Sequence, residues 1–539
     1  MSTKRKIALL GATLTAVLFL GTACSAGGAP PAPPQPTETT GAPAGVEIRL
    51  EDDEPGGDPV AGGRMSFLIR LDATELDPHK MSETSAFVIN EQVYESLLQT
   101  YRGELLPGIA EEWDVSDAGT EITFTLRDNA FFHSGRQVTA DDVKYSLDRI
   151  KNPETLAPRA GSYTSIKEVE VVDDTTVVIH LNQPDAAILT VLSTAASSIV
   201  DKDIVESVGL NTDVDGGSGP FMLAKRVAGQ TIELDKHPKY WEEGVPYLDG
   251  IDITFNPDDN ARAAAVRSGT IDFLWRAAPE FAPALQADEK LKWYGGSGSL
   301  SLHLQMNVSK KPFDDVRVRQ AVMHALDRQE LLDVANAGLG TPLNGGYLPK
   351  GRWGALTEDV YGDPDIEKAK QLLADAGYPD GFEAELMVIS TSAFQVRQAE
   401  VEQQQLAKIG IDVTIESVEG TVASERARAG DFEMYQSGFG MTYDPDERFT
   451  ASYLEKGGLN YGGWSDAEYE EIIVGARSEL DRDKREAMYQ DAERILAERG
   501  PSAFTFVDAN YDVVQKNVMG YKGDPTPTYR FYKYLWLDK

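Results

Sequence analysis

The sequence predicts an α/β fold spread over more than one domain, and three observations carry that prediction. Strand-length apolar runs alternate with amphipathic helical stretches: Ile366 to Gly377 is helix-patterned, Phe382 to Ile389 reads as a strand, Val396 to Ile409 as a helix and Ile411 to Ile415 as a strand again. Hydrophobic residues make up 41% of the chain, enough for a large core. The 539 residues, even without an N-terminal stretch of biased composition, exceed the ~250–300 that a single core organises.

The N-terminal stretch has the layout of an export signal. Lys4, Arg5 and Lys6 precede an apolar run from Ile7 to Leu20, then the small residues Gly21-Thr22-Ala23 and Cys24. The apolar run is shorter than the ~20 residues of a comfortable transmembrane helix. Cys24 is the only cysteine, so no intrachain disulfide holds the fold. Small residues before a lone cysteine resemble a bacterial lipobox, with Leu20 one place early and Gly21 where Leu is commonest, and this makes Cys24 the expected lipid attachment site. Residues 25–63 are rich in Pro, Gly, Ala and Thr, with PAPPQPTETT and an acidic LEDDE patch, and lack apolar periodicity; they are expected to form a disordered tether. The formal charge is −36, or −39 once Lys4, Arg5 and Lys6 leave with the acid-free signal. Such a surface repels nucleic acid and anionic lipid, so neither is an expected partner. It does not select a cationic ligand.

The globular part opens with the strand Met65 to Leu71, a turn at Leu76-Asp77-Pro78, and a helix carrying Val88, Val93, Leu97 and Leu98. Ala110 to Ile150 follows (AEEWDVSDAGTEITFTLRDNAFFHSGRQVTADDVKYSLDRI). It starts with a Trp-bearing turn, then Ile122, Phe124 and Leu126 alternate with polar residues as in a half-buried strand. After the loop Phe131 to Gly135, Thr139 offers a capping hydroxyl with Asp142 three residues on, and Val143, Leu147 and Ile150 fall at helical spacing. As residues, this is a packing unit in which no side chain need touch a ligand. Ile166 to Val172 and Thr176 to Leu181 flank Asp173-Asp174 as a hairpin. Ser301 to Asn307 alternates cleanly. Pro312 to Arg328 opens a helix with Val318, Val322 and Leu326 on one face, and Gly377 closes the 366–377 helix. Helices over Asp466 to Gly475 and Asp481 to Glu498 and a terminal aromatic run, TYRFYKYLW, complete the chain. There is no internal repeat.

Several of these runs resemble the signature of the family 5 extracellular solute-binding proteins, the oligopeptide-, dipeptide- and nickel-binding receptors of ABC importers. The block EEW-x-V-S-x-x-G-x-x-x-T-F-x-L-R, F-H-S-G and V-T-A-D-D-V-x-Y-S is similar throughout, with Ala118-Gly119 in place of the usual Asp-Gly. Gly217-Ser218-Gly219-Pro220-Phe221 and His237-Pro238-Lys239-Tyr240-Trp241 resemble G-T-G-P-[FY] and N-x-x-Y-W, with Ser218 for Thr and His237 for Asn. Gly269 to Trp275 resembles the G-x-I-D strand, and Pro312 to Arg328 is a second strong block. The resemblance spans Met65 to Lys539. It implies a two-lobed periplasmic-binding-protein-like fold (type II, cluster C) with an extra α/β subdomain inserted in the first lobe. Residues 64–97, 216–300 and 506–539 are then lobe I, 98–215 the extra subdomain and 301–505 lobe II. Ser301 to Asn307 is a strand crossing between lobes, and TYRFYKYLW the strand that returns to the first.

The resemblance also implies a function. The chain is expected to be the extracytoplasmic substrate-binding protein of an ABC importer, binding a peptide or peptide-like solute between its lobes and delivering it to a permease whose ATPases are separate chains. It is expected to be a monomer without cofactor, lipid-anchored to the outer face of the cytoplasmic membrane or periplasmic. An oligosaccharide or metal chelate is the alternative ligand, and a sensor or chaperone-like binder without transport the alternative role. Implied ligand-binding residues are Ser82, Glu83 and Thr84 in a cleft loop, Tyr163 and Trp275 as cleft aromatics, and Phe439, Gly440, Met441, Thr442, Tyr443 and Asp444. In peptide-binding members an Asp of this last segment receives the peptide's α-ammonium, which needs a charged partner once removed from water. Here Thr442 takes that position. Either Asp444 or Glu83 substitutes, or the ligand lacks a free amino terminus.

Nothing in the sequence points to an enzyme. There is no G-x-S-x-G elbow, G-x-x-x-x-G-K-[ST] loop or G-x-G-x-x-G fingerprint. The six histidines (His79, His133, His180, His237, His303, His324) share no helix at metal-ligand spacing, so no metal site is expected.

Overall fold

The computed structural model describes residues 57–73, 75–81, 83–210, 214–390, 392–524 and 528–538. The export signal, Cys24 and the tether up to residue 56 lie outside them, as does Ser82. Two long antiparallel strands, Leu291–Met306 and Ser502–Gln515, pair from Leu291↔Gln515 to Gln305↔Ser502. They form the centre of an 11-stranded sheet. Towards Leu291 and Gln515 the sheet continues through Phe273–Leu274, Arg64–Ile69, Gly250–Phe255, Thr231–Lys236 and Phe221–Val227. Towards Met306 it continues through Met434–Gly440, Phe382–Ile389 and Ile411–Val418. One sheet thus serves two lobes. Between them the ladder slips at Ser297/Ser301 and again at Leu302/His303, and bulges of this kind bend and twist a strand.

Each lobe has its own core. The first buries Phe67, Ile69, Ile232, Leu234, Ile253 and Phe273 together. The second buries Leu302, Leu304 and Met306 of the crossing strand against Val318, Val322, Leu386 and Val413. These three crossing-strand side chains are wholly inaccessible, and each burial stabilises by ~1.5–3 kcal/mol. A third cluster lies within the insertion, where a four-stranded sheet runs in the order Ala110–Val115, Glu121–Leu126, Thr176–Leu181, Ile166–Asp173. Helix Ala140–Lys151 packs on it through Val143, Leu147 and Ile150. Asp142 reaches back to the backbone N of Thr139 at 3.0 Å and to its hydroxyl at 2.9 Å, closing the helix start as the spacing predicts.

Three expectations are corrected. The Trp-bearing segment is a strand, Ala110–Val115, with Trp113 paired opposite Phe124. The first helix is Thr84–Val93 and excludes Leu97 and Leu98. It ends because the Val93 carbonyl accepts the Gly219 N–H at 2.8 Å, and the Ser96 and Leu97 carbonyls are taken by Ile109 and Ala110. The C-terminal aromatic run is not the returning strand. Arg530–Tyr534 is a tight 3₁₀ turn that buries Arg530, Phe531, Tyr532 and Lys533 in succession, which an alternating strand cannot do; only Trp536–Leu537 pairs, with Val518–Met519. The return is made by Ser502–Gln515.

Candidate ligand-binding cleft

Strand direction locates the cleft. Arg64–Ile69, Gly250–Phe255 and Phe273–Leu274 are parallel to one another, and Phe273–Leu274 is antiparallel to Ser502–Gln515. They therefore point the way Leu291–Met306 runs, out of the first lobe towards the second. Phe382–Ile389, Ile411–Val418 and Met434–Gly440 are also mutually parallel, but Met434–Gly440 is antiparallel to Leu291–Met306, so this set points back at the first lobe. The carboxyl ends of both sets face each other across the bulged crossing, the edge at which open α/β sheets bind ligands.

On the first lobe, Trp275 follows Leu274 directly. It is 5% exposed, stands edge-on to Tyr529 at 5.7 Å, and among the described residues its indole N–H has no hydrogen-bond partner. Arg276 lies over the Trp275 ring at 4.7 Å and donates to the Tyr529 hydroxyl at 3.1 Å. Its backbone is held at φ +48, left-handed for a non-glycine residue, by Arg276 N donating to Asp512 Oδ1 at 3.1 Å and Ala277 N to the Tyr511 carbonyl at 2.7 Å. Glu83 stands just before the Thr84–Val93 helix and is half-buried, and Thr84 is exposed. One turn on, Phe87 carries Arg159 over its ring at 5.3 Å.

On the second lobe, Phe439 ends its strand between the His303 ring at 4.6 Å and the Arg448 guanidinium at 4.8 Å. Phe439 and Met441 are both buried in that lobe's core. The Gly440 carbonyl accepts the Tyr347 hydroxyl at 2.7 Å. Thr442 donates its hydroxyl to the Asp444 carbonyl at 2.7 Å, and its own carbonyl accepts from Arg352 at 3.0 Å. Tyr443 is half-buried and close enough to Arg352 to act on its charge, while burial lowers the Arg352 guanidinium pKa.

Two expected site residues lie elsewhere. Tyr163 is 1% exposed in the core of the insertion, its hydroxyl paired with Ser197 Oγ at 2.6 Å and pushed up to about 12 by burial. Asp444 points into the second lobe: Arg485 grips its carboxylate at 2.5 and 2.8 Å, the Tyr489 hydroxyl approaches at 3.3 Å, and the Asp446 N–H donates at 3.0 Å. Its carboxylate is thus committed to Arg485 within the lobe. Arg352, Arg448, Tyr347, Arg276 and Tyr529 were not singled out from the sequence. Isolated arginines and tyrosines carry no periodicity, and only the fold brings them to the two facing edges.

The lobes touch across the cleft. Arg159 of the insertion pairs with Glu447 at 2.7 Å, and Ala186 N donates to the Arg477 carbonyl at 2.8 Å. Leu480 packs on Gly119, where an added Cβ would come within 2.8 Å of its Cδ1. Gly119 also sits at φ +66, so both its backbone and its neighbour favour glycine at the turn between Ala110–Val115 and Glu121–Leu126. Among the described residues no helix is long and apolar enough to cross a membrane, and no cluster of His, Cys, Asp or Glu is arranged to hold a metal ion.

A family model, bacterial extracellular solute-binding proteins, family 5 (middle), matches residues 104–461. The glutathione-binding protein GsiB of Salmonella typhi is 29% identical over 462 residues, covering 83% of this chain and 90% of that protein. The dipeptide-binding protein of Escherichia coli is 30% identical over 460 residues, covering 79% of this chain and 85% of that protein. Among solved structures, the binding protein AgaA of A. tumefaciens in complex with agropinic acid matches with a TM-score of 0.78 at 29% identity, covering 88% of this chain and 99% of that one.

Proposed function

The chain belongs to family 5 of the bacterial extracellular solute-binding proteins, and from that premise we propose that it is the substrate-binding component of an ABC importer, taking a peptide or peptide-like solute between its lobes and handing it to a membrane permease. The observation that carries this reading is the opposed pair of carboxyl-end edges on one hinged sheet, with the Trp275 indole N–H left unpaired on one side. Contacts from both lobes favour the closed state only when a solute joins them. The relatives named for glutathione and dipeptides support a peptide-like solute, and the kinship to a structure holding agropinic acid extends the class to small organic acids.

Within this reading, Trp275 forms the first-lobe wall, and Gly440, Thr442 and Tyr443 the second. Phe439 and Met441 shape the second wall from beneath, and Glu83 and Thr84 edge the mouth. The boundaries 64–97 with 216–300 and 506–539, 98–215, and 301–505 divide the chain accordingly. The protein acts as a monomer outside the cytoplasmic membrane, held there by a lipid on Cys24. The reading is tested by native mass spectrometry of the purified mature chain, followed by thermal-shift screening with dipeptides, tripeptides and glutathione. A retained small solute and stabilisation by members of the panel are expected. Absence of both would remove the receptor reading.

A further inference from the structure

The second-lobe wall carries two arginines that no acid neutralises. Arg448 is 9% exposed, yet among the described residues no carboxylate lies within ion-pair distance of it, and its Nε has no hydrogen-bond partner. Its guanidinium rests on the Phe439 ring at 4.8 Å and is close enough to the Tyr347 hydroxyl to act on it. Arg352 has a single side-chain hydrogen bond, to the Thr442 carbonyl at 3.0 Å, and likewise no ion pair.

Among the described residues Arg448 is the exception to the other buried arginines, and half-buried Arg352 adjoins the same strand end. Buried Arg262, Arg485 and Arg530 face Asp259, Asp444 and Glu95 respectively. Arg319 and Arg328 lack an acid but are surrounded by carbonyls: Arg319 donates to those of Phe313, Asp314, Arg499 and Gly500, and Arg328 to those of Met323, Leu326 and Phe504. A guanidinium has five N–H donors and is costly to bury without charge or acceptors. Among the described residues Arg448 leaves its Nε unmatched and half-buried Arg352 makes one side-chain bond, and both bear on the same Tyr347 hydroxyl, which in turn donates to the Gly440 carbonyl at the strand end. Of the acids nearby, Glu447 is engaged by Arg159, and Asp524 acts on Arg352 only at longer range.

We propose that Arg352 and Arg448 form an anion subsite that receives a carboxylate of the bound solute. A carboxylate accepts two parallel bonds from a guanidinium fork, which would offset the desolvation of both arginines. The inference rests on the cleft being the solute site and narrows its occupant to acids: solutes with a free carboxylate are bound, and their amides are rejected.

The test uses the full mature protein and matched probes. Calorimetry compares the tripeptides Ala-Ala-Ala and Ala-Glu-Ala with their C-terminal amides, the second with Gln in place of Glu. The acids are expected to bind at least tenfold more tightly than the neutral partners, and Arg352→Gln and Arg448→Gln should each erase that preference. Equal affinity for acid and amide in the wild type overturns the proposal, as does a preference that survives both substitutions. If no tripeptide binds, malonate at constant ionic strength serves as the probe. Stabilisation of the wild type but not of Arg352→Gln would sustain the subsite while removing the peptide reading. No stabilisation of the wild type would overturn the subsite.

Discussion

Replacing Asp444 with Asn separates a structural carboxylate from a ligand-binding one. In the fold the Asp444 and Arg485 side chains are 10% and 6% exposed, and the guanidinium grips the carboxylate through both Nη atoms at 2.5 and 2.8 Å. Asp444→Asn keeps the shape and removes the charge, leaving Arg485 buried without its counter-ion. Breaking a buried pair from one side costs about 3–5 kcal/mol. Arg485 retains the Ala476 carbonyl at 3.1 Å and the Tyr489 hydroxyl at 2.6 Å, so the lower end, about 3 kcal/mol, is expected. For a lobe of roughly 200 residues this lowers Tm by about 6–12 °C. Thermal unfolding of the ligand-free protein gives the shift, and a double-mutant cycle with Arg485→Met isolates the pairwise part. Solute affinity should change little. If Asp444→Asn leaves Tm within about 2 °C of wild type but weakens binding a hundredfold, the carboxylate faces the solute and the structural assignment is wrong.

Four further outcomes follow from the same reasoning. Glu402 and Glu493 are wholly buried, and burial raises each to about 8. A carboxyl whose folded pKa exceeds its unfolded value is protonated in the folded state and ionised in the unfolded one between the two, so stability falls as pH rises from about 4.5 to 8, by roughly 1.4 kcal/mol per unit per group; Glu402→Gln should raise Tm at pH 8 and flatten the profile, and an unchanged slope would refute this. Saturating solute at a hundredfold excess over Kd should add about 2.7 kcal/mol of stability and shrink the scattering radius; stabilisation without compaction argues against closure. Acetylating a bound peptide's amino terminus should weaken binding less than tenfold, about 1.4 kcal/mol, because Thr442 offers no charge and its hydroxyl is turned to the Asp444 carbonyl. A thousandfold loss would reveal an amine-binding acid. Cys24→Ser should release the protein from the membrane fraction or leave an unprocessed precursor, and an unchanged mature mass and fraction would remove the lipid anchor.

The sequence made local pattern legible and long-range convergence much less so. Strands such as Thr176–Leu181 and helices such as Ile366–Asp375 emerged from alternation and 3.6-residue spacing because each has one buried face. Ser502–Gln515 escaped notice: eleven of its fourteen residues are buried, so it shows no alternation, and its apolar run is broken by Asp508, Asn510 and Asp512. The aromatic C-terminus misled for the opposite reason, since rings packed by a tight turn resemble a strand in composition. At the site, resemblance to a family segment marked Phe439 to Asp444 as ligand-binding, and the structure puts Phe439 and Gly440 at the carboxyl end of Met434–Gly440. The resemblance could not show that Asp444 turns inward to Arg485, or that Arg352, nearly a hundred residues earlier in the chain, meets the Thr442 carbonyl.

The closing energy must come largely from the solute. The side chains of Arg159 and Glu447, which bridge the lobes, are 34% and 26% exposed, and a partly solvated pair contributes less than about 1 kcal/mol. The Ala186–Arg477 backbone bond contributes a similar amount. Taking a hinge from 1:99 to 99:1 in favour of closure requires about 5.5 kcal/mol. These two contacts supply about a third of that, so a solute touching both walls must provide most of the rest. Groups left unmatched among the described residues are suited to this: the Trp275 indole N–H on one side and the Arg448 Nε on the other, where Arg352 has one side-chain bond. Satisfying them within the protein would lower the cost of the closed state and weaken its dependence on cargo. Glu447→Gln should accordingly expand the ligand-free ensemble slightly and weaken solute binding by no more than about fivefold, the equivalent of 1 kcal/mol. A hundredfold loss would mean that the Arg159 bridge, rather than the solute, holds the lobes together.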